Sequence, residues 1–404
     1  MVTEDQELLR HISGLGAPGW LQDARRRAAA LEAQAELPRW DRTSSDALAL
    51  APGALPVGGH VEIGVPPGAA ERGVVAGGIA ELAAAEPELV RTHLGRIVPA
   101  DLGKFEARNA AGSQGCFIYV PPGVALAEPV EVTYRLGPEA PAQFHPRTVV
   151  VLGRGAEAAV LQRETGGHEG SVLTAVVEAD LADGARLRFI ELQHWGVGVR
   201  GFAHRRAELG RDAQVQWLQA EMGAGLMRSG TTSVLRGVGS EALALLVFFA
   251  SGRQHLDLLA GLVHHGARTN GLMLARGVLT GQARTIYRGT SDIRRGAKGS
   301  NSQQKEKSLH LGGEVRSDAI PALYIDENEL QAGHAATTGR VNEEELFYLQ
   351  SRGLPRREAE RLIVHGFFAP LVDQIPLEAA RAELTGLVDR KLDQPSDGSG
   401  SPAA

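Results

Sequence analysis

The sequence predicts a mainly β protein with flanking α-helices, its core a β-solenoid. Three observations point there. From about residue 115 the chain breaks into short β-branched segments, among them FIYVPPGV, PVEVTYRL, RTVVVLGRG and RLRFIELQHW, each bounded by Gly, Pro or Asp. A turn residue, often followed by Ala and then an alternating strand, recurs at GAEAAVLQ, GARLRFIE, DAQVQWLQ, EALALLVF, GARTNGLM and GAKGSNSQ, in steps of 29, 28, 29, 25 and 30 residues. Repetition near one spacing is the mark of stacked units. No stretch between these strands has room for the helical crossover of a βαβ sheet. A two-sheet sandwich with coincidental spacing is the alternative. Glycine is abundant, 50 of 404 residues, and aromatics are few at 5%; short strands with tight corners have that composition.

Residues 1–110 read as an N-terminal helical region. Pro18 suits a first helical turn and Ala, Leu, Arg and Glu carry a helix over 18–37, stopped by Pro38. A second helix over 78–94 is bent or broken near Pro87. Residues 111–335 form the β core. A C-terminal helical region follows over 336–392. Asn342 is a good N-cap with Glu345 at N3, Glu343 and Glu344 complement the positive helix start, and Gly353 stops the helix at C′. Pro355 opens a second helix whose apolar face carries Leu362, Ile363, Phe367 and Leu371. A third runs over 377–392, and the Ser/Gly/Pro-rich tail 393–404 reads as disordered.

The charge balance, 42 basic against 48 acidic residues, gives no nucleic-acid footprint. The first residues lack the basic start and apolar run of a signal peptide, and the longest apolar run, ALALLVFFA, is too short to cross a bilayer. A soluble cytoplasmic protein is the expectation. One cysteine, Cys116, excludes an internal disulfide and a four-thiolate site made by this chain alone. Flanked by apolar residues in GCFIYVPP, it reads as core packing. His264 and His265 are adjacent on a strand, so one faces in and one out. GSNSQQKEKSLHLGGEVRSD, with Gln303, Gln304, Lys305, Glu306, Lys307 and His310, reads as a solvated edge strand guarded by charge. His334 stands among Gly333, Ala335 and Ala336, which leave its ring accessible. An imidazole is a common ligand for iron and zinc. The chain has no GxxxxGK[ST], GxSxG or HExxH.

SDAIPAL (317–323), GHAATTGRVNEEELFYLQSRGL (333–354) and AERLIVHGF (359–367) resemble the C-terminal segment of the SufB/SufD family, scaffold components of the SUF iron–sulfur cluster assembly system. YRGTSDIRRGAKGSNSQQ and KFEARNAAGSQGCFIYVPPGVALAEPVEVTY are similar to that family's last strands and the start of its β region. The resemblance implies a right-handed parallel β-helix between two helical regions. HAAT and FYLQSRG are more like SufD than SufB chains, and where SufB chains carry their cluster cysteine this chain has no Cys, Glu306 falling nearby. Ala332 stands where SufD-like chains often have Cys.

That likeness implies a non-enzymatic scaffold subunit, pairing with a SufB-like paralogue and docking a SufC-like ABC ATPase, with one SufB, two SufC and one SufD. It implies that His334 is an iron or nascent-cluster ligand at the SufB interface, with the remaining ligands from the partner. ATP would act only through SufC, whose closure would strain the interface, and a reduced flavin on the complex is left open. The ATPase docking region falls on Glu344, Leu346, Phe347, Tyr348, Arg352 and Gly353. A SufB-like cluster-carrying scaffold and a β-solenoid carbohydrate-active enzyme are the competing functions.

Overall fold

A computed structural model describes residues 16–49 and 57–393. The opening residues read for a signal peptide and all but the first residue of the tail lie outside them. Two sheets run the length of the core, and successive strands alternate between them, so each turn gives one strand to each sheet. The first sheet holds β1 (His60–Gly64), β4 (Val130–Leu136), β7 (Glu157–Gly166), β9 (Arg186–Trp195), β11 (Gln214–Glu221), β13 (Glu241–Ala250), β15 (Asn270–Leu279), β17 (Ser300–His310) and β19 (Leu330–Arg340), in that spatial order. The second holds β2 (Val75–Gly78), β3 (Gln114–Val120), β6 (Pro146–Leu152), β8 (Val172–Leu181), β10 (Arg200–Leu209), β12 (Leu226–Leu235), β14 (His255–His264), β16 (Arg284–Ile293) and β18 (Arg316–Ile325), with the short β5 (Gln143–Phe144) beside β8.

From β3 and β4 onward every pairing is parallel. Gln214 pairs with Arg186 below and Glu241 above, so each turn repeats the same face and the spacing legible in the sequence is one turn of solenoid. The sandwich alternative is thereby set aside. Phe189, Trp217, Phe248 and Met273 stand in the closed column between the sheets. That column also holds charge. Arg205 donates to both oxygens of Glu191, its Nη1 reaches Ser229 at 2.6 Å, and Ser229 donates to Glu221 at 2.5 Å. Trp195 Nε1 meets Glu164 at 2.9 Å. Burial, with the neighbouring Glu191 carboxylate, pushes Glu164 well above the usual carboxylate range.

The helices cover the outer faces. α1 (Gly19–Gln34), α2 (Ile79–Ala85), α3 (Pro87–His93) and α4 (Lys104–Gly112) lie at the N-terminal end. The helix expected over 18–37 forms as α1, and the break expected near Pro87 separates α2 from α3, with Pro87 in the first turn of α3. The N-terminal region is not purely helical as expected: β1 and β2 close the ends of the two sheets by antiparallel pairing. Their Val, Ile and Gly residues had too short a run to be legible as strands. One carboxylate fixes this region. Glu178 accepts the N–H groups of Gly95, Ile97 and Val98 at 3.0, 2.9 and 3.0 Å and the Arg147 guanidinium at 2.6 Å. Arg147 and Glu178 are each 1% exposed. A strap follows α1: Trp40 stacks on Phe105 and Phe202, and Thr43 donates to the buried Asp257 at 2.6 Å.

At the other end α5 (Glu343–Ser351), α6 (Arg356–Val372) and α7 (Glu378–Asp393) follow β19. Val364, Phe368 and Leu371 of α6 and Leu384, Leu387 and Val388 of α7 pack on the outer face of the first sheet, against Ile190, Leu192, Leu218 and Leu245. The apolar face is therefore rotated from the one expected. Leu371 is in it, whereas Leu362 is 53% exposed and Ile363 and Phe367 are half-buried at its edge. Two Phe in succession and the LIV triplet made the face ambiguous, and the sheet selected it. Two further corrections concern the last strands. The β core does not end at 335, because β19 continues to Arg340. The 299–318 stretch is not an edge strand, because β17 is hydrogen-bonded to β15 on one side and β19 on the other.

Lys391 of α7 is fully enclosed, donating to Gln254 at 2.5 Å and Ser251 at 3.0 Å. Burial lowers its amine from 10.5 to about 7. The unfolded chain then binds the proton more tightly, so this group favours folding increasingly as pH rises from about 7 toward 10.5. Chemical denaturation of the chain against Lys391→Met should show their stability difference shifting in favour of the wild type across that window and flat below it. Glu178→Gln should cost about 3 kcal/mol, since it leaves the Arg147 charge buried and unpaired. Arg186→Ala, removing a pair with Glu157 whose two side chains are 58% and 40% exposed, should change stability by less than about 1 kcal/mol.

Candidate functional site

His334 lies on β19, the last strand of the first sheet, and among the described residues no strand pairs with its outer edge. β18 ends the second sheet in the same way. The solenoid is therefore open here. The register decides which way His334 faces. Gln304 pairs with His334, Glu306 with Ala336 and Ser308 with Thr338. Gln304, Glu306 and Ser308 are each 3% exposed, while the alternate Lys305 and Lys307 are exposed. In-register parallel strands keep one face, so His334 stands in the inward column and is exposed only because no further turn covers it. From the second sheet Tyr287 pairs with Ala319 and Gly289 with Pro321.

Below His334 the inward column is polar. Ser308 donates to Glu306 Oε1 at 2.6 Å, Ser317 donates to Ser308 at 3.0 Å, and Gln304 Nε2 donates to Ser291 at 2.9 Å. Burial raises the Glu306 carboxyl above its ordinary value, opposed by the Ser308 hydrogen bond. Sequence reasoning placed Gln304, Glu306 and the lysines together on a solvated surface; the structure separates them by alternation. Tyr287 was missed altogether. Its signal is weak, since a lone Tyr in RTIYRGTSDI looks like any strand aromatic.

The second cluster surrounds α5. Asn342 Oδ1 accepts the Glu344 N–H at 2.9 Å, as an N-cap should, and Gly353 has φ +94° where the chain leaves the helix. Phe347, Tyr348 and Leu362 are 71%, 56% and 53% exposed, large apolar side chains left uncovered on α5 and α6. Arg352 lies 5.1 Å over the Tyr348 ring and its Nη2 reaches the Tyr348 hydroxyl at 3.2 Å. Glu344 is exposed beside it. Leu346 is a correction: it is fully buried and holds the helix, so it offers no surface to a partner. Helical period alone could not say which of three consecutive large residues turns inward. A groove of ≈ 390 Å³ is lined by Leu309 of β17, Arg340 of β19, and Asn342, Glu345, Ile363 and Phe367 of the helical region, among others.

The remaining candidates fall as the residues suggested. His264 is buried against Thr269 at 2.8 Å and burial lowers it to about 4, while His265 is exposed. Cys116 is fully buried in the core and burial raises its thiol to about 12. Such a thiol is a poor metal ligand. No helix among the described residues is long and apolar enough to cross a membrane. Leu346→Ala should cost about 2–5 kcal/mol in urea denaturation. Phe347→Ala should cost less than about 0.5 kcal/mol. Equal losses would mean that Phe347 is part of the fold.

Residues 134–367 match the family described as SUF system FeS cluster assembly, SufBD core domain, and residues 62–132 match the SufBD protein N-terminal region. The chain is 33% identical over 298 residues to the iron–sulfur cluster assembly protein SufD of Bacillus subtilis, covering 73% of this chain and 68% of that one. It is 31% identical over 309 residues to a SufBD family protein of Staphylococcus epidermidis, covering 76% and 66%, and 32% identical over 287 residues to one of Mycobacterium leprae, covering 70% of this chain and 33% of the much longer relative. The matched segments take in both sheets, the open end and most of α6, and the chain belongs to the SufBD family of SUF-system iron–sulfur cluster assembly proteins.

Proposed function

We propose that the chain is a SufD-like, non-enzymatic scaffold subunit that pairs with a cysteine-bearing SufB-like paralogue and docks a SufC-like ABC ATPase. The observation that carries this reading is the open end of the solenoid. β18 and β19 each present an unpaired row of backbone groups, a ready template for strands of a second solenoid. Tyr324 and Ile325 on β18, 61% and 47% exposed, add apolar area there. His334 sits on that edge and would give one ligand to a nascent cluster, the rest coming from the partner as thiolate or carboxylate.

The patch of Phe347, Tyr348 and Leu362 is the proposed ATPase contact, with Glu344 and Arg352 at its polar rim. α5 and α6 are joined to the solenoid by apolar packing and by the Arg276 guanidinium, which donates to the Phe367 carbonyl and lies 5.3 Å over its ring. Closure of bound ATPases would therefore pull on β15 and the strands beside it, moving the open end as a body. ATP acts only through the ATPase, and a reduced flavin would belong to the assembled complex. The SufB-like alternative is disfavoured by the single buried thiol, and a carbohydrate-active enzyme by the family.

Affinity purification from the native cell tests the reading. It expects an ABC-type ATPase and a Cys-bearing paralogue; recovery of neither sinks it. Phe347→Asp with Tyr348→Ala should lose the ATPase and keep the paralogue. His334→Ala should keep both partners and lower the cluster yield of the assembled complex. An unchanged yield would remove His334 from the chemistry.

A further inference from the structure

Three buried oxygen atoms beneath His334 have no hydrogen-bond partner among the described residues: Glu306 Oε2, Gln304 Oε1 and the Tyr287 hydroxyl. Their side chains are 3%, 3% and 4% exposed. Buried polar atoms are nearly always paired, and each one left alone forfeits its hydration without return. All three belong to the interior of the last turns. Glu306 and Gln304 are successive inward residues of β17. Tyr287 faces them from the other sheet, close enough for the Glu306 charge to act on its phenol. A Cβ added at Gly289 would lie 2.4 Å from Gln304 Oε1 and 3.4 Å from the Tyr287 ring, so the amide oxygen projects beside that ring into space only glycine leaves.

The other atom of each group is tied down. Ser308 holds Glu306 Oε1, and Ser291 and the Ala322 carbonyl hold Gln304 Nε2 at 2.9 and 3.2 Å. The free oxygens are thus oriented rather than mobile. In the last turn Ala336 stands over Glu306 and Ala319 over Tyr287. Both are exposed and small, so only small side chains stand between the cluster and the open end. This accounts for the run of Gly and Ala around His334.

We propose that this buried polar cluster is a binding site for a single hard divalent cation, held by Glu306 Oε2 and Gln304 Oε1, faced by the Tyr287 hydroxyl, with the His334 imidazole at its entrance. Carboxylate and amide oxygens suit a hard cation, and imidazole suits iron. No thiolate is present, so the ligand is one ion and not a formed cluster. The donor set is mixed: among the described residues no three His, Cys, Asp or Glu side chains converge. The inference rests on the scaffold reading only in naming the ion as ferrous iron delivered for assembly; the site itself rests on the three unpaired oxygens.

The test is an anaerobic titration of the full chain with Mn(II), read by loss of the free-ion electron paramagnetic resonance signal, then competition with Fe(II). One saturable site per chain, emptied by Fe(II), is expected. Glu306→Gln, which keeps the acceptor for Ser308, should weaken binding at least about tenfold. Lys307→Ala, facing outward on the same strand, should bind as the wild type does. His334→Ala should weaken binding less than Glu306→Gln. No saturable site, or undiminished binding by a folded Glu306→Gln protein, overturns the proposal. Loss with His334→Ala alone places the ion at the open edge and overturns the buried site. Partner recovery from the same preparations judges the scaffold role separately: Mn(II) binding without the paralogue would sink the role and leave the site.

Discussion

A parallel solenoid must repeat the same inward face in every turn, and the rest of this molecule depends on that constraint. It stacks Phe, Trp, Leu and Val over one another for most of the length. It also forces whatever polar residue falls on the inward register to be satisfied inside, as Arg205, Glu191 and Ser229 are. At the last turns the same rule lines the interior with Ser300, Ser302, Gln304, Glu306 and Ser308 instead of aliphatic residues. The solenoid does not simply stop there. Its interior changes from a largely apolar column to a polar one and then opens.

The elements outside the solenoid are attached by a few buried charges added to broad apolar faces. Glu178 gathers three backbone N–H groups and a guanidinium at the N-terminal end. Asp257 joins the strap to Arg228 and Arg288. Lys391 seats the last helix with neutral acceptors alone. Apolar packing supplies most of the attachment energy, but it is tolerant of sliding. A buried charge with fixed partners is costly to displace, which suits it to fix position.

This division matters at the open end. Val364, Phe368 and Leu371 bind α6 to the solenoid through apolar contacts, and the exposed Phe347, Tyr348 and Leu362 patch rides on the same helical unit. A load applied to that patch reaches the outer sheet face through packed side chains, a short distance from β17 and β19. On the proposed reading, a partner held at the helices would have mechanical access to the open end without touching His334.

The class of fold, the order helix–solenoid–helix and the turn length were legible in the sequence, because turn residues at a near-constant spacing and alternating strands are local signals. So were the Asn342 cap, the Gly353 stop, the break near Pro87 and the buried thiol of Cys116. The facing of α6 was not, since its sequence carries large apolar residues around more than half the helix and only the sheet selects among them. Nor was the inward column of β17, where polar residues alternate with polar residues and period two leaves no contrast. His334 shows the division most clearly. The sequence by itself determined that an imidazole stands among small residues ahead of a capped helix. Only the tertiary structure decided that it faces inward, over Gln304, because facing is set by register with a strand thirty residues earlier, and that it is exposed, because among the described residues no further strand pairs above it.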